Sequence, residues 1–450
     1  MAIPEPARHT VTPRRVTIAG AVGSTIEFYD FFIYGTATTL VFDKLFFPKF
    51  SPVAGTLAAF AIFAGGFAAR PIGALIFGHF GDRIGRKATL VWTLMIMGLA
   101  TFGIGLLPTY GTAGLWATVP LVVLRILQGF AVGGEWGGAA ILVSEHAPQG
   151  RRGMLGAFTQ LGSPAGLLLA SLMFLLMGRL PDAQFLSWGW RVPFLLSLVM
   201  VGVGLYIRLR ILDAPEFLRE RDALRERQES EEKVPLPITE AVRTSWRNIL
   251  IAMGARFAPD IIFYICATFA ILYAKTYLGL PSGTILTGVI IAVGIELFTL
   301  PLFGLLSDRI GRRPVYMGGA AFCAVLAFPL FLLFNTKITG LIWLGLVLAF
   351  AVCHASMWSI APAVYSEWFD TRFRYSGASI GYQLSIVFGA GPAPFIATAL
   401  AAAAGGAPWT VAAYIAGTAL ISLVSLYLAK ETYRRRLGEP QPAAAADSVA

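Results

Sequence analysis

Apolar residues run along this chain in twelve blocks, at roughly 16–41, 54–79, 88–108, 117–144, 153–177, 189–209, 248–274, 283–306, 315–334, 340–366, 375–400 and 409–429. Each is long enough for a helix to cross a hydrocarbon layer of about 30 Å. Backbone groups in lipid must be satisfied internally, so the blocks predict helices and not strands. One stretch breaks the rhythm. Residues 208–247 carry nine Lys/Arg and nine Asp/Glu, after six blocks and before six more. The pattern predicts an all-α membrane protein of twelve transmembrane helices: a tail at 1–15, a six-helix bundle at 16–209, a linker at 210–247 and a second six-helix bundle at 248–430. An Ala/Pro-rich tail at 431–450 should be disordered.

Composition agrees. Of 450 residues, 56% are hydrophobic and 13% charged, where soluble chains carry about 25% charged residues. That excludes a soluble enzyme, a disordered chain and a disulfide scaffold. The net charge of +10 would suggest nucleic acid in a soluble protein; here it reflects loop topology, and no nucleic-acid partner is expected. Counting Lys and Arg loop by loop places 26 on the side of the termini and six on the other, with Arg70, Arg125 and Arg256 inside blocks. Both termini should therefore be cytoplasmic, in a cell (inner) membrane. The first block carries Glu27 and Asp30 and is too long and polar for a signal-peptide core. Cys266, Cys323 and Cys353 all lie in apolar blocks, so neither a disulfide nor a metal site is expected. No phosphate-binding loop of the G-x-x-x-x-G-K-[ST] type occurs, which argues against ATP as the driver.

The chain also repeats itself. After the second block stands Gly78-His79-Phe80-Gly81-Asp82-Arg83-Ile84-Gly85-Arg86-Lys87; after the eighth, Gly304-Leu305-Leu306-Ser307-Asp308-Arg309-Ile310-Gly311-Arg312-Arg313. The copies are 226 residues apart. A second pair, Ser144-Glu145 with Arg152 and Ser366-Glu367 with Arg374, follows blocks four and ten at a spacing of 222. Matching loops after matching helices describe a parallel repeat. Asp82 ends a helix, where the dipole disfavours an anion, so it needs a cation or a helix N-terminus beside it. One such copy could be a topological anchor. Two in register point to a conformational gate built from Gly78, Asp82, Arg83, Gly85, Arg86, Glu145, Arg152, Asp308, Arg309, Gly311, Arg312, Glu367 and Arg374.

These loops resemble the signature G-x-x-x-D-R-x-G-R-[KR] of the major facilitator superfamily, and Arg125-Ile126-Leu127-Gln128-Gly129 is similar to its second motif. Glu27-Phe28-Tyr29-Asp30-Phe31, Ala69-Arg70-Pro71-Ile72-Gly73, Gly133-Gly134-Glu135-Trp136-Gly137-Gly138 and Ser187-Trp188-Gly189-Trp190-Arg191-Val192-Pro193-Phe194 resemble one branch, the metabolite:proton symporters. The resemblance spans about 16–430. It implies proton-driven import of organic acids, shikimate, proline or betaines, with the proton as coupling ion and no other cofactor. Arg256, Asp260 and His354 look most like shikimate-type members.

Charges inside a span are costly and suggest function. Glu27 and Asp30 share a helix face, and two carboxylates close together in low dielectric cannot both stay ionised. With Asp260 and Glu135 they are the candidate proton carriers; separate packing hydrogen bonds are the competing reading. Arg256, Arg125, Arg70, His354, Tyr29 and Gln383 are the substrate-binding candidates. Arg256 leads, because its planar fork can receive a carboxylate bidentately. Its i, i+4 spacing to Asp260 equally allows a structural ion pair, and Arg125 could partner an intramembrane carboxylate permanently. A lone histidine such as His354 more often packs than binds, and Glu296 has no evident local partner. Glycines 129, 133 and 137 should let the fourth helix approach a neighbour closely. The resulting picture is a monomeric importer of a small polar metabolite in a lipid bilayer. A betaine/proline symporter and a drug/proton antiporter are the alternatives, and a membrane-embedded enzyme is the rival of another class.

Overall fold

The computed structural model describes residues 13–84, 86–133, 147, 150–212, 237–369 and 374–433. Within these, the side chains of 13–20, 78, 79, 81–84, 86–88, 90, 207–212, 237–241 and 374–376 are outside the description. Glu135 and Glu145 fall outside the described residues, as do Gly85 and the linker core 213–236.

The described residues of all twelve blocks are helical, and the described residues contain no strand. In chain order they are α1 (Pro13–Ala37), α2 (Pro52–Ala68, resuming as Arg70–Ile84), α3 (Arg86–Leu106), α4 (Tyr110–Val132), α5 (Arg152–Met177) and α6 (Val192–Leu212). The second six are α7 (Pro237–Ala255, continuing to Leu278), α8 (Ser282–Ile310), α9 (Arg312–Asn335), α10 (Thr339–Trp368), α11 (Gly377–Ala403, entered from Arg374) and α12 (Trp409–Leu428). Ten are long and apolar enough to span a bilayer by themselves; α1 and α3 complete the set predicted from the pattern. Trp92, Trp116, Phe298, Val325 and Tyr427 project outward from the bundle, as lipid-facing residues do.

Two boundaries differ from the sequence reading. α7 starts at Pro237, inside the expected linker, with a kink at Ser245. Its first turns are polar, and apolarity marks where a helix enters lipid, not where it starts. The tail expected from 431 begins as a docked segment: Glu431 caps α9, accepting from the Arg312 and Arg313 backbone N–H groups at 3.1 and 2.8 Å, and Thr432 donates its hydroxyl to Glu367 at 2.7 Å.

The halves meet where α5 packs on α8, α2 on α11, and α1 on α7. The most apolar stretch of α7 is 94% buried, against 33% for α8, which makes α7 a central helix and α8 a flank. Small residues set the spacing. An added Cβ on Gly129 would run into the Gly66 carbonyl, and one on Gly133 into that of Arg70. The neighbour that α4 approaches through its glycines is therefore α2.

Candidate functional site: a charged cavity between the halves

Prolines shape the walls of the cavity. α2 breaks at Ala69, just before Arg70-Pro71, and α7 breaks at Arg256, three residues before Pro259. Proline cannot donate its backbone N–H, so each helix loses a hydrogen bond and turns out of line there. Each arginine thus leaves an interrupted helix and reaches a common space. π-Helical turns add to this at Leu348–His354 in α10 and Ile386–Ala390 in α11; such turns re-aim side chains and often occur at functional sites. The cavity is small, about 20 Å³. Its polar lining is Arg70, Ser163, Arg256, Asp260, His354 and Tyr382, with Phe28, Phe263, Tyr264 and Trp358 as aromatic walls.

Its two arginines differ. Arg256 Nε is bound to both oxygens of Asp260, at 2.8 and 3.1 Å. Its guanidinium lies 3.7 Å over the Tyr382 ring and 4.5 Å from that of Trp358. Arg70, from the other half, stacks on Phe31 and Phe67 at 4.5 and 4.7 Å. Among the described residues no carboxylate stands within ion-pair distance of it.

His354 also lines the cavity. Its Nδ1 is bonded to Glu296 Oε1 of α8, and its ring stacks on Trp358 and contacts Phe263. Glu296 is wholly buried, and its Oε2 has no partner. The motif spacing of 226 residues also relates Asp30 to Arg256 and Arg70 to Glu296.

Several expected residues lie elsewhere. Arg125 is buried beside the cavity, caged by Phe31, Tyr34 and Phe63 at 3.9, 4.3 and 4.6 Å. It donates to Gln128, which donates to Thr101. Among the described residues no carboxylate partners it; cation–π contact with three rings disperses the charge. Tyr29 donates its hydroxyl to the Pro193 carbonyl and ties α1 to α6. Gln383 donates to the Gly133 carbonyl at 3.3 Å, joining α11 to α4. Asp30 is 1% exposed, and neither carboxyl oxygen has a hydrogen-bond partner. Glu27, on the same face, is half-buried.

At the loop-motif end the residues of the second motif copy are brought together. Asp308 accepts the Gly153 and Met154 backbone N–H groups of α5, both at 2.9 Å, and Arg312 at 2.6 Å. A helix ending in an anion thus meets a helix N-terminus, the complementary dipole. Glu367 lies 3.5 Å from Arg312 and 3.8 Å from Arg152. Gly304 and Gly153 face each other where α8 crosses α5; an added Cβ on Gly304 would lie 2.6 Å from the Gly153 carbonyl oxygen. Gly311 makes the reversal into α9 at φ +111°, left-handed backbone that glycine adopts without strain. Arg309 is exposed. For the first copy, the helix backbones include Gly78, Asp82, Arg83, Arg86 and Arg374, whose side chains are outside the description.

A polar cavity between two pseudo-equivalent helical bundles, with contacts between the bundles at the loop-motif end, suits the passage of a small solute across the bilayer. The class so defined is the multi-pass membrane transporters, not enzymes. The chain belongs to the major facilitator superfamily: residues 16–250 match the family model "Sugar (and other) transporter", and residues 292–448 match "Major Facilitator Superfamily". It is 40% identical to the shikimate transporter of Escherichia coli (strain K12), over 94% of this chain and 95% of that protein. It is 35% identical to the proline/betaine transporter of the same organism, over 96% and 86%. Among solved structures it resembles the partially occluded inward-open xylose transporter XylE of E. coli, with a TM-score of 0.72 at 19% identity, covering 95% of this chain and 100% of that one. At that identity the likeness speaks for the fold alone.

Proposed function

We propose that this transporter imports a small organic acid together with protons across the inner membrane, by alternating access, and holds the acid's carboxylate between Arg70 and Arg256. The observation that carries this reading is the pairing state of the two arginines. Arg256 is committed to Asp260, whereas Arg70 faces the same cavity with no carboxylate within ion-pair distance among the described residues. A buried guanidinium without an anion is costly, and an incoming carboxylate compensates it. Because the arginines come from opposite halves, one ligand would bridge them.

The shikimate transporter among the relatives favours an acid, and the proline/betaine transporters favour an osmolyte. A quaternary ammonium needs free aromatic faces, and here Arg256 already covers Tyr382 and Trp358. The acid is therefore the better-supported substrate class. For the proton, Asp30 is the best supported of the expected carriers: a buried carboxyl without a donor costs far less as the acid than as the anion. Asp260 is held by Arg256. The positive loops support cytoplasmic termini, which would make the loop-motif end the cytoplasmic gate.

Uptake into proteoliposomes with acid outside tests the reading, using shikimate and other carboxylates beside proline and betaine. Carboxylates should accumulate. Arg70→Lys keeps the charge but loses the bidentate fork, worth about 1.5–3 kcal/mol, so apparent KM should rise about tenfold or more. Betaine accumulation with no carboxylate uptake, or unaltered KM in both Arg70→Lys and Arg256→Lys, would overturn it.

A further inference from the structure

We propose that Glu296 and His354 form a second proton-binding site, in the half that does not contain Asp30, and that this site responds directly to the substrate's charge. The proposal rests on the carboxylate-import reading and adds an atom to it: His354 Nε2 takes up the proton from the cavity.

The geometry assigns each part. Glu296 on α8 and His354 on α10 are 0% and 3% exposed. Glu296 Oε1 engages Nδ1, which fixes which ring nitrogen is left. Nε2 has no hydrogen-bond partner in the described protein, and the residue lines the cavity. Trp358 stacks on the imidazole at 5.5 Å between ring centres and 23° between planes, and Phe263 lies at 4.5 Å. The ring is thus held in place with one nitrogen toward the carboxylate and the other available to the cavity.

The charge balance follows. With Nδ1–H donated to the Glu296 carboxylate and Nε2 bare, the pair carries one buried negative charge. A proton on Nε2 makes the ring an imidazolium and the pair neutral overall. The other charged and titratable groups facing it are Arg256, Asp260 and Tyr264 of α7, Tyr382 of α11 and Arg70 of α2 across the cavity. α5 contributes only Ser163 to this lining, and α9 brings Cys323 against Cys353 behind the ring. Arg256 and Asp260 cancel, leaving Arg70. A carboxylate bound there offsets the cation that opposes protonation of Nε2, and so favours uptake of the proton. By reciprocity, the protonated pair favours the carboxylate. Acid and proton are then bound together, as symport requires. Glu296, which does not face the cavity, is the positioning residue; His354 meets the proton.

Emission of Trp358 reports the ring beside it, because a protonated imidazole stacked on an indole quenches its fluorescence. The signal is taken as parent minus Trp358→Phe in purified protein. It should fall with acid. The midpoint should rise on adding shikimate as probe, move lower in Glu296→Gln, and the transition should vanish in His354→Gln. In proteoliposomes His354→Gln should lose at least about tenfold in acid-driven accumulation, the equivalent of one proton against one pH unit, relative to its own shikimate exchange. A pH-independent Trp358 signal in the parent, or the same midpoint in Glu296→Gln and parent, would overturn the proposal. A parent that accumulates no carboxylate would instead overturn the reading of function, while the Trp358 titration still decides whether the pair binds a proton.

Discussion

Replacing Asp308 by Asn should open the loop-motif end of the transporter. The carboxylate, 2% exposed, holds two backbone N–H groups of α5 at 2.9 Å and Arg312 at 2.6 Å. Hydrogen bonds to a charged group contribute about 1.5–3 kcal/mol each, against about 0.5–1.5 for neutral ones. The helix N-terminus adds about 0.3–1 kcal/mol for an anion. Asparagine retains one acceptor oxygen but turns its NH₂ toward the second N–H, so one bond is lost and the other becomes neutral. The loss amounts to about 2–4 kcal/mol, a shift of about thirty- to several-hundred-fold in the equilibrium between closed and open. Because the contact joins α5 of one half to α8 of the other, the shift favours the state in which they part. A cysteine replacing cavity-lining Ser163 would report it, labelled by an impermeant maleimide from the loop-motif side. The three native cysteines are buried and should stay silent. Labelling should accelerate at least about tenfold in Asp308→Asn. Equal rates in mutant and parent, at equal expression, would refute the claim that this carboxylate holds the end shut.

Two further outcomes are expected. The repeat relates Gly153 and Met154 to Tyr375 and Ser376, so Asp82 should meet the N-terminus of α11, and Asp82→Asn should accelerate the same labelling; an unchanged rate would reduce Asp82 to a topological anchor. Asp30→Asn should abolish acid-driven accumulation but retain substrate exchange, since the amide mimics the protonated acid; undiminished accumulation would remove Asp30 from the coupling path.

What the sequence disclosed depended on whether the cause was local. Span positions follow from apolarity alone, so all twelve helices were legible, and the duplication exposed the paired loops without any structure. The Arg256–Asp260 pair was legible too, because i, i+4 spacing is a property of one helix. Glu296 and His354 are 58 residues apart on different helices, and no periodicity connects them. Which arginine stands without a carboxylate among the described residues, Arg70, was not legible for a related reason: spacing along one helix says nothing of partners on another. Tyr29 was a substrate-binding candidate, and its hydroxyl is directed at Pro193, 164 residues away. The start of α7 was missed because polar helix and polar linker have the same composition.

Counted at the loop-motif spacing of 226 residues, the duplication is inverted in sign at the centre. Where one half has Asp30, the other has Arg256; where one has Arg70, the other has Glu296. A strictly symmetric vestibule would offer a solute two equivalent poses, related by the axis between the bundles. Here that axis exchanges a cation for an anion, so a dipolar solute turned end for end meets repulsion in place of attraction. The fold can therefore retain twofold mechanics in its moving parts and still hold its cargo in a single orientation.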